Sequence, residues 1–141
     1  ETLSQIDDVG SVVAESISRY FSLESTKHLC EKLKAAGVGV YYLSNTNDHA
    51  FEFMTSTYEV FSYMDGGIAS YLDGVIKPSA DIFELFLSRY GKTAEECVFV
   101  DDMPTNVNGA RAVGLNGIIL KNIDDLEDEL CRFPELRTIL K

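Results

Sequence analysis

Two aspartates, Asp101 and Asp102, stand side by side where the apolar run CVFV (97–100) stops, and a side-chain amide follows at Asn106. Upstream, Ser44 and Asn45 follow another apolar run, VGVYYL (38–43), and Lys77 lies in YLDGVIKP, just after GGIAS (66–70). A hydroxyl, side-chain amides, one cation and two carboxylates are the parts of a site for a phosphate ester. A hard cation such as Mg²⁺ takes carboxylate oxygens and water, and it mediates between a dianionic ester and an acidic protein. Lys77 supplies a point charge for the phosphoryl oxygens. The Ser44 hydroxyl, with the backbone amides of Asn45 and Thr46 at a helix start, offers donors to an anion. Successive residues of an extended chain point to opposite sides, so one aspartate reaches a metal directly and the other through water or a hydrogen bond. Asp102 is the expected direct ligand. The set is a phosphoryl-transfer site in outline, without a nucleophile.

Each residue alone has a plainer reading. Ser44 and Asn45 suit helix N-caps, Lys77 suits a solvated surface, and paired carboxylates suit the positive end of a helix dipole. Taken together, these plain readings would have to fall in order at the ends of successive apolar runs.

The elements that must position these residues follow from periodicity. DDVGSVVAESISRYF (7–21) has helical spacing of Val9, Val12, Val13 and Ile17. A second helix is predicted from Glu24 to Ala36, stopped by Gly37. VGVYYL, almost continuously apolar, predicts a strand covered on both faces. NDHAFEFMTSTYEVF is a helix candidate and GGIAS a short strand. PSADIFELFLSRYG (78–91) predicts a helix with Pro78 in its first turn and Gly91 at its end. CVFV predicts a buried strand, PTNVNGARAVG a short helix closed by Gly114, and NGIIL (116–120) a last strand. The tail from Asp124 to Lys141 predicts helix interrupted by Pro134. Strands alternating with helices predict an α/β fold, a parallel sheet with helices on both faces. Ligands of such sheets bind beyond the carboxyl ends of the strands, where Ser44, Lys77 and Asp101 all fall.

A chain of 141 residues with 45% hydrophobic side chains suits one compact core. No apolar run approaches the ~18 to 20 residues of a membrane span, and no signal-like segment opens the chain. A formal charge of −11 disfavours nucleic acid and anionic membrane surfaces. Cys30, Cys97 and Cys131 form no CxxC pair and are odd in number, which suits a reducing compartment, the cytoplasm being the expectation.

YYLSNTN (41–47), GVIKPSADIF (74–83) and CVFVDDMPTNVNGARAVG (97–114) resemble, in order and at matching spacing, motifs II, III and IV of the haloacid dehalogenase (HAD) superfamily. Within it they are most similar to the sugar-phosphate phosphatase branch. The resemblance covers residues 22 to 122, and residues 1–21 look like the last helix of that family's helical cap. It implies a Rossmannoid sheet and gives a division into a cap remnant, 1–21, and an incomplete core, 22–141. It also implies that Ser44 and Asn45 bind phosphate and that Lys77 balances its charge. By the same resemblance Asp101 and Asp102 hold Mg²⁺, Asn106 shapes the metal loop, and Ser44, Lys77 and Asp101 form the catalytic set.

The family attacks phosphorus with an aspartate from a D-x-D segment at the end of a central strand, forming an aspartyl-phosphate. The only upstream acidic pair here is Asp7-Asp8 in SQIDDVG, which is not D-x-D and follows a polar stretch. With the start at Glu1, the expectation is a truncated Mg²⁺-dependent phosphatase of a small phosphorylated metabolite, with weak Mg²⁺ binding and little turnover. The family places the absent strand between VGVYYL and CVFV. Two exposed sheet edges would then await a missing N-terminal segment or an oligomer partner. The competing expectation is a HAD-like binding or scaffolding module without catalysis. Retention of Ser44, Lys77 and both aspartates favours the enzyme. Dehalogenation proper uses no metal and leaves the aspartate pair unexplained.

Overall fold

A computed structural model describes residues 24–141. The helix predicted over 7–21, and with it the cap remnant, lies outside the described residues. The first element is α1 (Glu24–Ala35), which buries Leu29, Cys30 and Leu33 on one face. Its acidic first turn and its Lys32 and Lys34 near the end complement the helix dipole, and Gly37 follows at φ +86°. β1 (Tyr41–Ser44) is shorter than the apolar run that predicts it, and all four of its residues are partly exposed. β1 has a strand neighbour at one edge, and residues of β1 line a cavity.

α2 (Asp48–Thr57) starts at Asn47, whose side chain accepts from the Ala50 amide. A 3₁₀ segment, Glu59–Tyr63, leads to β2 (Gly66–Ala69) and a single helical turn, Ser70–Asp73. α3 (Ala80–Tyr90) is capped by Ser79 and ended by Gly91 in the left-handed region. Pro78 therefore precedes the helix instead of lying in its first turn, because the serine hydroxyl takes the capping position. β3 (Val98–Asp101), α4 (Pro104–Val113) and β4 (Asn116–Ile119) follow, α4 having Pro104 at its start and Gly114 at its end. Pro134 divides the tail, as expected, into α5 (Leu126–Leu130) and α6 (Pro134–Leu140). No helix among the described residues is long and apolar enough to cross a membrane.

β1 pairs in parallel with β2, from Tyr41 opposite Gly66 to Ser44 opposite Ala69. β3 pairs in parallel with β4, from Val98 opposite Asn116 to Asp101 opposite Ile119. Among the described residues no pairing joins β1 to β3, so the parallel α/β architecture is divided between the VGVYYL and CVFV strands. Packing crosses that division. One core joins Ile68 of β2 and Phe99 of β3 beneath Ile82, Phe83 and Phe86 of α3 and Val107 of α4. A second core lies around β4, where Ile118 meets Leu29 and Leu33 of α1 and Leu140 of α6.

The far side of β2 is satisfied by α3. The Gly67 amide donates to the Tyr90 hydroxyl at 2.7 Å, and that hydroxyl donates to the Gly67 carbonyl at 3.0 Å. Arg89 holds Asp73 at 2.6 Å, and Asp73 also accepts from the Ala69 amide at 3.1 Å. The Arg89 hydrogen bond lowers the Asp73 carboxyl below its ordinary range, against burial, with help from the Ala69 amide and the Arg89 charge. A depressed carboxylate contributes stability above its unfolded pKa, about 3.9, and loses it as pH falls through the lower folded value. Asp73→Asn should therefore lower the thermal midpoint at pH 6 to 7, the stability lost being less than about 1 kcal/mol for a partly exposed pair. The gap to the parent should close as the pH is taken well below 4, a window set by about 3.9 and the lowered folded value. A gap independent of pH would remove the charge from the account.

Candidate active site

The carboxyl ends of the strands gather the residues singled out from sequence. Ser44 ends β1, Asp101 ends β3, and Lys77 lies in the connection between the Ser70–Asp73 turn and α3. Lys77 Nζ stands 3.1 Å from Asp101 Oδ2, with the two side chains only 4% and 9% exposed, and 5.9 Å from the centre of the Phe99 ring. The solvated lysine of the plainer reading is thus a buried one. Asp101 Oδ2 also accepts from Asn106 Nδ2 at 3.2 Å, and Oδ1 accepts from the Met103 amide at 2.9 Å. Burial pushes the Asp101 carboxyl up, but the Lys77 charge, the Met103 amide, the contact with Asp102 and the Lys77 hydrogen bond outweigh it and hold the group below its ordinary range. Asp101 is a carboxylate whose oxygens are largely committed within the protein. Asn106, buried itself, serves that carboxylate.

Asp102 is half-buried and lines a cavity of about 680 Å³ that runs between β1 and β3. Ser44, Lys77 and Asp101 line the same cavity. The Ser44 hydroxyl makes no hydrogen bond among the described residues, and the following helix is capped by Asn47 instead, so capping does not explain Ser44.

One expected anion donor, the Thr46 amide, is spent on the protein, and so is the Asn45 side chain, though not its backbone amide. Asn45 Nδ2 donates to the Lys77 carbonyl at 3.1 Å, and Asn45 Oδ1 accepts from the Lys77 amide at 2.8 Å. The Thr46 amide, expected to face an anion, donates to Ser70 Oγ at 2.7 Å, and Ser70 Oγ donates back to the Thr46 carbonyl at 2.9 Å. That expectation is corrected: α2 begins only at Asp48, and Thr46 is buried, where an unpaired N–H is costly. Ser70 was not singled out from sequence, since nothing local marks the serine after GGIAS as the partner of a loop 24 residues away. Gly109 is a further such residue. A Cβ there would lie 2.6 Å from the Pro78 carbonyl oxygen, so only glycine lets α4 rest on the segment that holds Lys77.

Among the described residues no cluster of three or more His, Cys, Asp or Glu could hold a metal. Mg²⁺ keeps several waters and needs only one or two carboxylates beside a phosphate. The donors present fit that description, with Asp102 lining the cavity and Asp101 bonded to Lys77, Met103 and Asn106.

A family model for haloacid dehalogenase-like hydrolases matches residues 4–114. A sesquiterpene phosphatase of Aspergillus oryzae is 34% identical over 112 residues, which is 79% of this chain and 54% of that protein. A crystal structure of a HAD family enzyme of Bacteroides thetaiotaomicron, in complex with magnesium and inorganic phosphate, superposes with a TM-score of 0.65 at 27% identity, covering 70% of this chain and 52% of that one. An uncharacterised protein of Corynebacterium glutamicum superposes with a TM-score of 0.66 at 27% identity, covering 89% of this chain and 85% of that one. The chain spans about half the length of the curated relatives it matches over most of its residues.

Proposed function

We propose, for a chain that belongs to the haloacid dehalogenase-like hydrolase family, a Mg²⁺-dependent phosphomonoester site for a small phosphorylated metabolite. The observation that carries this reading is the buried Lys77–Asp101 pair, set beside Ser44 and Asp102 at the carboxyl ends of β1 and β3. Lys77 balances phosphoryl charge, the Ser44 hydroxyl and the Asn45 backbone amide donate to phosphoryl oxygens, and Asp101 fixes the lysine. Asp102 holds the metal, with Asp101 behind it and Asn106 keeping Asp101 in place. When bound, Mg²⁺ neutralises charge on the transferring phosphoryl group. The Aspergillus phosphatase and the magnesium and phosphate complex of the Bacteroides enzyme support this class of ligand.

On this reading neither aspartate attacks phosphorus: Asp101 is tied to Lys77, Met103 and Asn106, and Asp102 is given to the metal. On this reading the chain by itself turns over little substrate and binds Mg²⁺ weakly. The cavity between β1 and β3 gives a second reading, a binding module that holds a phosphorylated ligand without hydrolysing it. The thiols of Cys30, Cys97 and Cys131 are all free, which suits a reducing compartment.

Calorimetric titration of the chain with inorganic phosphate should show binding only when Mg²⁺ is present. Asp102→Asn should remove that dependence, with affinity in Mg²⁺ falling at least about tenfold for the loss of one charged ligand. Hydrolysis of an aryl phosphate by this chain should be negligible with or without Mg²⁺. Phosphate binding indifferent both to Mg²⁺ and to Asp102→Asn would sink the site assignment.

A further inference from the structure

We infer that Asn45 is a positioning residue: its side chain acts through the Lys77 backbone and sets where the ammonium group stands, instead of meeting the phosphate. This goes beyond the phosphate reading and rests on it only in the second arm of the test below.

Both polar atoms of the Asn45 side chain are used, one donating to the Lys77 carbonyl and one accepting from the Lys77 amide. A planar amide bonded at two points fixes orientation as well as distance. Asn45 and Lys77 are 4% and 6% exposed, so water cannot readily replace either bond. Lysine has a flexible four-carbon stem, so its charge is well placed only when both ends are held. Asp101 holds the Nζ end at 3.1 Å, and Asn45 holds the backbone end from a loop 32 residues away. The same two contacts tie the carboxyl end of β1 to that of β3 through Lys77, across a gap that no described strand pairing spans.

Asn45→Ala removes both bonds, while Asn45→Asp keeps the acceptor for the Lys77 amide and loses the donor. The first arm is competitive acetylation with limiting acetic anhydride, read by mass spectrometry at Lys77 against the exposed Lys141. Lys77 should be strongly protected in the parent, labelled several-fold faster in Asn45→Ala and intermediate in Asn45→Asp, each variant checked as folded by circular dichroism. The aspartate variant keeps the test decisive if the alanine variant does not fold. The second arm titrates inorganic phosphate in Mg²⁺. Asn45→Ala should weaken phosphate about tenfold, the order of one misplaced charge-assisted hydrogen bond, and should weaken it no further in a Lys77→Ala background. Unchanged Lys77 labelling in the folded variants overturns the inference, and so does a phosphate loss that adds fully to that of Lys77→Ala. Raised labelling in a protein whose parent binds no phosphate upholds the positioning of Lys77 and fails the phosphate reading alone.

Discussion

Lys77→Ala is expected to abolish Mg²⁺-dependent phosphate binding and, separately, to destabilise the fold. The first effect follows from removing the buried cation that the site holds. The second follows from what remains, an Asp101 carboxylate buried without its cation, with the Asn106 and Met103 donors left to it. Breaking a buried pair by removing one partner costs about 3 to 5 kcal/mol, whereas replacing both partners is often close to neutral. The double variant Lys77→Ala, Asp101→Asn should therefore recover much of the stability lost in Lys77→Ala and none of the phosphate binding. Lys77→Met, which keeps an apolar stem near Phe99, should lie between them in stability and equally low in binding. Urea midpoints and phosphate titrations on the same preparations separate the two effects. Phosphate affinity that survives in Lys77→Ala would remove the lysine from the site, and a double variant no more stable than the single would remove the ion pair from the stability argument.

The largest purely structural effect is expected at Phe83. The residue is fully buried, its ring meets Phe99 of β3 edge-on at 5.2 Å, and it shares a core with Ile68 of β2. Phe83→Ala should cost about 3 to 5 kcal/mol, a large part of the about 5 to 15 kcal/mol that a domain has in total. A loss of that size should also appear on both sides of the divided sheet, because β1–β2 and β3–β4 share this core and no described strand pairing. Hydrogen exchange should accelerate in β2 and in β3 together. Acceleration confined to β3 would mean that the halves are joined elsewhere.

The helices and their stops were legible in the sequence because their signals are local. The apolar spacing of Ile82, Phe83 and Phe86 gives α3, and Gly91 and Gly114 end α3 and α4 where no side chain obstructs a left-handed turn. The strands were legible in kind and less so in extent. VGVYYL has the composition of a doubly covered strand, yet among the described residues the pairing runs over Tyr41–Ser44, because pairing depends on neighbours that composition does not reveal. The site was legible as a set of residue types and less so as a set of contacts. Ser44, Lys77, Asp101 and Asp102 do line one cavity. The use of the Asn45 side chain on Lys77, of the Thr46 amide on Ser70, and of Gly109 as the seat for Pro78 each joins distant segments, and none leaves a local trace.

The Tyr90 hydroxyl has a consequence for how this protein can associate. At Gly67 it accepts from the amide and donates to the carbonyl, so a new chain cannot zip onto that rim of β2 without first expelling an aromatic side chain packed on Tyr41 and Phe86. Recruitment of further strands by this half is thereby one-directional. Edge-to-edge pairing, the usual hazard of a short open sheet, is opposed at this rim of β2, and the other edge of the pair, that of β1, faces the cavity.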